Sequence, residues 1–309
     1  MSTLSIWQRL LGRKYNQTQI LTELLEEQRR TAAAIELLAT HVQKLSQTQP
    51  IRQTSTQLRL PKIASEHDLA QVPILNQFLA ERGIAIKTLR APQDYDTVHN
   101  ELALLLGSKY YSVSVLLDNI KRTMQQGHTF NIHINQYSQT AIADMTLVGR
   151  KLHDLAFLTM YHYHKAPRFL LSARPNTLPE VQNFFSGQWL ERYILQVFAG
   201  IGHDAQAQLG EAILNPQIVL PNGDDFELDL LATANGRIYW IECKTGSYQE
   251  HITKYSRFAQ MLKLPANQAI LVIPDAHESL TQNLSRMFGM HVVNLTELHD
   301  HLDRELHKP

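Results

Sequence analysis

The chain has 309 residues and 29 acidic against 29 basic side chains, a formal net charge of zero that excludes an overall polycation and confines any nucleic-acid surface to a local patch. Its 44% hydrophobic content is ordinary for a globular chain, and no apolar run approaches the roughly 18 residues of a membrane span, so no membrane partner is expected. Cys243 is the only cysteine, and Gln8, Arg9, Gly12, Arg13 and Lys14 interrupt the N-terminal apolar residues, which excludes an intrachain disulfide, argues against a secretory signal and points to a cytoplasmic protein.

Residues 1–47 read as an amphipathic N-terminal helix leading into a coiled coil. Leu21, Gln28, Ile35 and Val42 are spaced by seven, and Leu24, Thr31, Leu38 and Leu45 follow three residues behind. This a/d seam predicts a homo-oligomer, although Gln28 and Thr31 make one weak layer. Residues 48–64 are rich in Gln, Ser and Thr with two prolines, as in a linker. Residues 65–177 read as mainly helical. The spacing there predicts helices over 65–82, 94–106, 110–126 and 144–162, with short strands at 84–89 and around Phe130, Ile132 and Ile134. This block alone names no chemistry.

From residue 178 to 309 the pattern becomes mixed α/β. A helix from near Gly187 carries Leu190, Ile194, Val197 and Phe198 on one face. Strands are predicted at 212–220, 226–233 and 237–244, with Asn-Gly at both turns between them. A helix at 250–264, a strand at 269–273, a helix at 276–288 and a strand at 291–294 follow, before a last helix. The order αβββαβ, with additions, implies a mixed sheet flanked by helices.

The candidate chemistry lies on two of those strands. Residues i and i+2 of a strand share a face, so Glu242 and Lys244 point the same way. A hairpin with the preceding strand can bring Asp229 beside Glu242. Two carboxylates and an ammonium among apolar neighbours are expensive to bury alone. A divalent cation would resolve that cost, and oxygen donors suit Mg2+ or Mn2+. Phosphodiester hydrolysis uses such a set: the metal activates water, and the lysine stabilises the growing negative charge. Glu191, early in its helix, can supply a third carboxylate.

The segment FELDLLATANGRIYWIECKTG resembles the D…ExK core of the PD-(D/E)XK nuclease superfamily, and FFSGQWLERYI resembles the helix that precedes it. The likeness is nearest to the nuclease domains of CRISPR-ancillary effectors that carry a CARF sensor domain. It implies a restriction-endonuclease-like fold and a metal-dependent endonuclease acting on DNA or RNA. It also implies a site of Glu191, Asp229, Glu242 and Lys244, with the Cys243 main-chain carbonyl as a further metal ligand. No CARF-like pattern stands upstream, so the resemblance does not carry over that ligand or a CRISPR role.

Other readings stand beside these. The charged residues could form a structural ion-pair cluster, or Asp225 or Glu227 could replace Asp229. A thiolate nucleophile at Cys243 is disfavoured because it faces away from Glu242. His162 and His164 look like a metal pair, but on a helix they would not face each other. Lys254, Arg257 and Lys263 follow the catalytic strand and are candidate phosphate contacts. A fold-retaining binding or assembly protein is the alternative function, and the middle region could gate the site.

Overall fold

A computed structural model describes residues 62–63 and 69–308. The predicted coiled coil lies outside the described residues. Lys62–Ile63 (β1) comes first among the described residues and runs parallel to Glu211 and Ala212. The expected linker therefore ends inside a sheet. Pro73–Ala80 (α1) begins on a proline, whose fixed φ suits a first turn, and Ala85–Thr88 (β2) follows. The helix expected from residue 65 is thus one short 3-10 turn at Leu69–Gln71 and then α1.

Asp96–Ser108 (α2) and Tyr110–Thr123 (α3) match the two expected helices within a few residues. Phe130–His133 (β3) alternates buried and exposed positions, as its sequence does. Gln139–Asp154 (α4) starts on a Ser138 cap that accepts from the Ala141 N–H. It stops well before residue 162, because Ala156 takes a left-handed φ of 60°. Leu158–His164 (β4) and Leu170–Pro175 (β5) then form an antiparallel hairpin, with β3 paired to β5. His162 and His164 consequently sit on a strand, where they share an exposed face. The sequence reading missed this hairpin because Leu152, Leu155 and Leu158 continue the helical spacing of α4.

Pro179–Asn183 (α5) runs through a turn of π-helix at Phe184–Gln188 into Trp189–Asp204 (α6). α6 packs tightly on α2: a Cβ on Gly107 would sit 2.2 Å from the Tyr193 ring. One cluster of buried side chains runs from Leu102 in α2 to Leu306 near the C-terminus. The expected boundary at 177/178 is therefore not a break in packing, because α6 buries one face against both regions.

The expected three-stranded meander is split into smaller pieces. Leu209–Leu214 (β6), Gln217–Val219 (β7), Asp225–Glu227 (β8), Leu230–Ala234 (β9) and Arg237–Cys243 (β10) replace it. Ile252–Leu262 (α7), Ala269–Val272 (β11), Glu278–Phe288 (α8), His291–Val293 (β12) and Leu295–Leu306 (α9) complete the chain. The main sheet has the order β1-β6-β9-β10-β11-β12, with β10, β11 and β12 parallel. β2, β7 and β8 form a small separate sheet. Tyr239, Ile241 and Cys243 of β10 enter the core shared with α6, while Trp240 enters the core shared with α7. Among the described residues no helix is long and apolar enough to cross a membrane.

Candidate active site

The β6–β7 and β8–β9 segments pair with each other, with a register shift between Leu209 and Ala212, and bend together at one level. Pro216 has no N–H, and Asn215 takes a left-handed φ of 54°. Across the bend the Asn215 N–H donates to the Asp229 carbonyl at 3.0 Å, and the Leu228 N–H donates to the Pro216 carbonyl at 3.2 Å. Glu227 and Leu230 continue the regular pairing on either side, in different sheets. Paired kinks of this kind re-aim side chains. Here the bend turns Asp229 toward the end of β10, where its Oδ2 accepts from the Cys243 N–H at 2.7 Å.

Four charged groups gather at this strand end. Glu242 is only 2% exposed. Its Oε1 lies 3.9 Å from Lys244 Nζ, and its Oε2 is buried without a hydrogen-bond partner. Tyr255 of α7 donates its hydroxyl to Glu242, and the Lys244 ammonium lies 5.3 Å from the centre of the Tyr255 ring. Glu191 reaches the same region from the first turn of α6, held by Asn215 Nδ2 donating to its Oε2 at 2.8 Å.

Electrostatics sets these carboxyls apart from ordinary ones. Burial, then the charge of Asp229, pushes Glu191 up to about 8, against the hydrogen bond from Asn215. Burial pushes Asp229 up to about 6, against the pull of the Cys243 N–H and Lys244. Burial, then Asp229, raises Glu242 well above the usual carboxylate range. Burial, then Asp229, likewise raises the Cys243 thiol, which disfavours a thiolate nucleophile. The three carboxyls lie near one another with a shortage of positive charge, the condition a divalent cation relieves.

A cavity of ≈ 320 Å³ opens beside them, with Lys121, Ser186, Glu191, Asp229, Lys244 and Thr245 in its wall. Glu242 does not line it, whereas Cys243, on the other face of the strand, does. Among the described residues no three His, Cys, Asp or Glu side chains converge into a ready-made metal cluster. The donor chemistry nevertheless suits an oxygen-preferring ion such as Mg2+ or Mn2+, and the unpartnered Glu242 Oε2 is an acceptor that such an ion would satisfy.

The structure thus brings Glu191, Asp229, Glu242 and Lys244 to one strand end, with Cys243 between the last two. Asp225 and Glu227 are both exposed in the small sheet, Asp225 paired with Lys87 and Glu227 with Gln217, although Glu191 and Asp229 feel the charge of Glu227. Lys254, Arg257 and Lys263 are exposed on or just after α7 and do not line the cavity. Lys254 instead lies 4.0 Å from the centre of the Phe226 ring. Asn215, Tyr255 and Lys121 belong to the site and were not anticipated. Asn-Pro at 215–216 is the one sequence signal that marks the bend.

No family model and no curated sequence matches the chain. Solved structures similar in fold include the following two. Can2 from Sulfobacillus thermosulfidooxidans, in complex with cyclic tetra-adenylate, superposes with a TM-score of 0.51 at 16% identity, covering 75% of this chain and 60% of that one. Protein VC1899 from Vibrio cholerae gives a TM-score of 0.49 at 20% identity, covering 76% of this chain and 60% of its own. The chain therefore spans 60% of the length of each. The likeness to Can2 shows a shared mixed α/β fold.

Proposed function

We propose that the chain is a metal-dependent endonuclease of the PD-(D/E)XK type that hydrolyses phosphodiester bonds of DNA or RNA. The observation that carries this is the buried carboxylate cluster between the β8–β9 kink and the end of β10, above all the unpartnered Glu242 Oε2 beside Lys244. A structural ion-pair cluster would satisfy its buried oxygens, because leaving one bare costs about 1–3 kcal/mol or more for a charged group. The shared fold with Can2 is compatible with this reading, and the ligand in that structure is not carried over.

Asp229, Glu242 and the Cys243 carbonyl would hold the ion, with Glu191 joining directly or through water. Bound there, Mg2+ or Mn2+ supplies a Lewis acid and a water made acidic enough to attack phosphorus. The chain's own groups do the rest. The Cys243 N–H and the kink fix the Asp229 carboxylate. Asn215 fixes Glu191. Lys244, in the wall of the cavity, stabilises the extra negative charge as the phosphorane-like geometry develops. The resulting alkoxide leaving group takes its proton from solvent in the open cavity. We also propose that the chain is a homo-oligomer held by residues 17–47, on the strength of their sequence seam.

The test is incubation of purified chain with supercoiled DNA, single-stranded DNA and RNA, with Mn2+ or with EDTA. Metal-dependent cleavage is expected. Asp229→Ala and Lys244→Ala should remain folded and lose cleavage, the lysine variant by about 3 kcal/mol of barrier or more. Cleavage by both variants at the wild-type rate would refute the site. Binding without any cleavage would favour a non-catalytic nucleic-acid-binding protein.

A further inference from the structure

Lys121 lies near the end of α3, in the part of the chain whose sequence names no chemistry. Its Nζ donates to both the carbonyl and the Oγ1 of Thr245, each at 3.0 Å. Thr245 follows Lys244 directly, and its own hydroxyl donates to the Ser186 carbonyl at 2.9 Å. Lys121 therefore ties α3 to the end of the catalytic strand and to the π-turn before Glu191. It also stands in the wall of the same cavity as Glu191, Asp229 and Lys244.

Two features distinguish it from a structural lysine. First, among the described residues no carboxylate comes within ion-pair distance of its Nζ. Asp118, one turn earlier, is the nearest negative influence, and it feels Asp275 as well. Burial lowers the proton affinity of Lys121, Asp118 raises it and Lys244 lowers it again, so the ammonium shares the cavity with a second like charge and makes no direct ion pair of its own. Second, an ammonium has three N–H donors. Thr245 takes two of them, which leaves one for a ligand in the cavity.

We propose that Lys121 is a substrate-contacting residue: it holds a phosphate of the nucleic acid in the cavity alongside Lys244, so that α3 completes the active site. The proposal takes its substrate class from the nuclease reading above. A phosphodiester gives the Lys121 ammonium an anionic partner, which a neutral ligand would not. Lysine serves here as a point charge, with no need for the planar fork of arginine. The Thr245 contacts aim it, and Gly246 lies beside it: a Cβ there would sit 3.5 Å from Lys121 Nζ, in ordinary van der Waals contact.

The experiment uses the full chain carrying Glu242→Gln, which removes cleavage by exchanging a carboxylate for its neutral isostere in every chain compared. Binding of labelled single-stranded DNA and RNA oligonucleotides is followed by fluorescence anisotropy in Mn2+ over a series of salt concentrations. Adding Lys121→Gln should weaken binding about tenfold and reduce the slope of log affinity against log salt by about 0.7, one phosphate contact on a single strand. Lys121→Arg should keep most of both. A merely structural role would leave the salt slope unmoved, and equal affinity and slope in all three chains would overturn the proposal. Thermal melts identify any variant that fails to fold; should Gln fail, Lys121→Met replaces it under the same criteria. Cleavage by the parent chain with Lys121-independent binding overturns this inference alone. Lys121-dependent binding without cleavage overturns the nuclease reading alone. No binding to either strand overturns both.

Discussion

Asn215 and Asp229 meet across the kink through a main-chain hydrogen bond of 3.0 Å, and the Asn215 side chain then reaches on to Glu191 at 2.8 Å. One residue thus links two of the carboxyls. Its left-handed φ of 54° suits Asn or Gly and disfavours other residues.

Asn215→Gly should separate the two roles. Glycine keeps the backbone geometry and the bond to Asp229 but releases Glu191. Stability should change by less than about 1 kcal/mol, while metal affinity or turnover should fall about 10- to 100-fold, as for other groups that orient a ligand. Asn215→Ala should show the same catalytic loss plus a lower melting temperature, because a Cβ at positive φ is strained. Melting curves and initial rates measured on the same preparations decide the matter. A Gly variant with wild-type turnover would show that the Asn215–Glu191 bond is incidental.

Arg192 and Asp96 tie α6 to α2. Arg192 is 2% exposed, and its Nη2 lies 2.6 Å from Asp96 Oδ1 while its Nη1 donates to Asn100. Arg90 grips the same carboxylate with both terminal nitrogens. Burial alone would raise the Asp96 carboxyl. The hydrogen bonds from Arg90, the Gln93 N–H and Arg192 outweigh it and hold the group well below the usual carboxylate range. Asp96→Asn should therefore leave Arg192 buried without its counter-charge and cost about 3 kcal/mol in urea unfolding. Because the folded pKa is depressed, this stabilisation is fully present above the unfolded value of about 4 and is lost as pH falls through and below it. The gap between wild type and Asp96→Asn should accordingly shrink below about pH 4. A constant gap from pH 7 to pH 3 would contradict the assignment.

Parts of this molecule could be read from its residues, for identifiable reasons. The alternation from Ile238 to Cys243 gave a strand because its two faces enter two separate cores, and the period survives burial on both sides. Glu242 and Lys244 were placeable on one face for the same reason. The kink was not legible: Phe226 to Thr233 reads as one strand, and only the partner strand's Asn215-Pro216 reveals that both must bend. The β4–β5 hairpin was hidden because leucines at helical spacing run past the point where Ala156 leaves the helix. Lys121 was invisible because its function depends on Thr245, 124 positions away, and no local pattern records such a contact.

The N-terminal seam yields a prediction from sequence alone. Leu21, Leu24, Ile35, Leu38, Val42 and Leu45 each contribute about 1.5–3 kcal/mol when fully buried. Light scattering should find the full chain oligomeric. A chain starting at Leu58, which keeps β1, should be smaller in stoichiometry. Equal stoichiometry would place the contact in the remaining domain.

Metal should bind where the carboxyl cluster leaves charge uncompensated, and it should do so with a stability signature. Binding to the folded chain alone stabilises by about 2.7 kcal/mol at a hundredfold excess over Kd. Mn2+ should therefore raise the melting temperature of the wild type, and EDTA should reverse the rise. In Asp229→Ala that gain should disappear. Glu242→Gln separates stability from metal binding more sharply. Glu242 has a bare Oε2, and beyond the Tyr255 hydroxyl its nearest compensation is a 3.9 Å approach to Lys244, so its charge is held at a cost in the metal-free chain. The neutral isostere should leave the metal-free protein at least as stable as the wild type, while abolishing the metal-dependent rise. A core glutamate retained for packing would behave in the opposite way: its replacement would lower the metal-free melting temperature, and Mn2+ would act equally on both chains. Differential scanning fluorimetry of the two chains, with and without Mn2+, distinguishes these outcomes without reliance on any substrate.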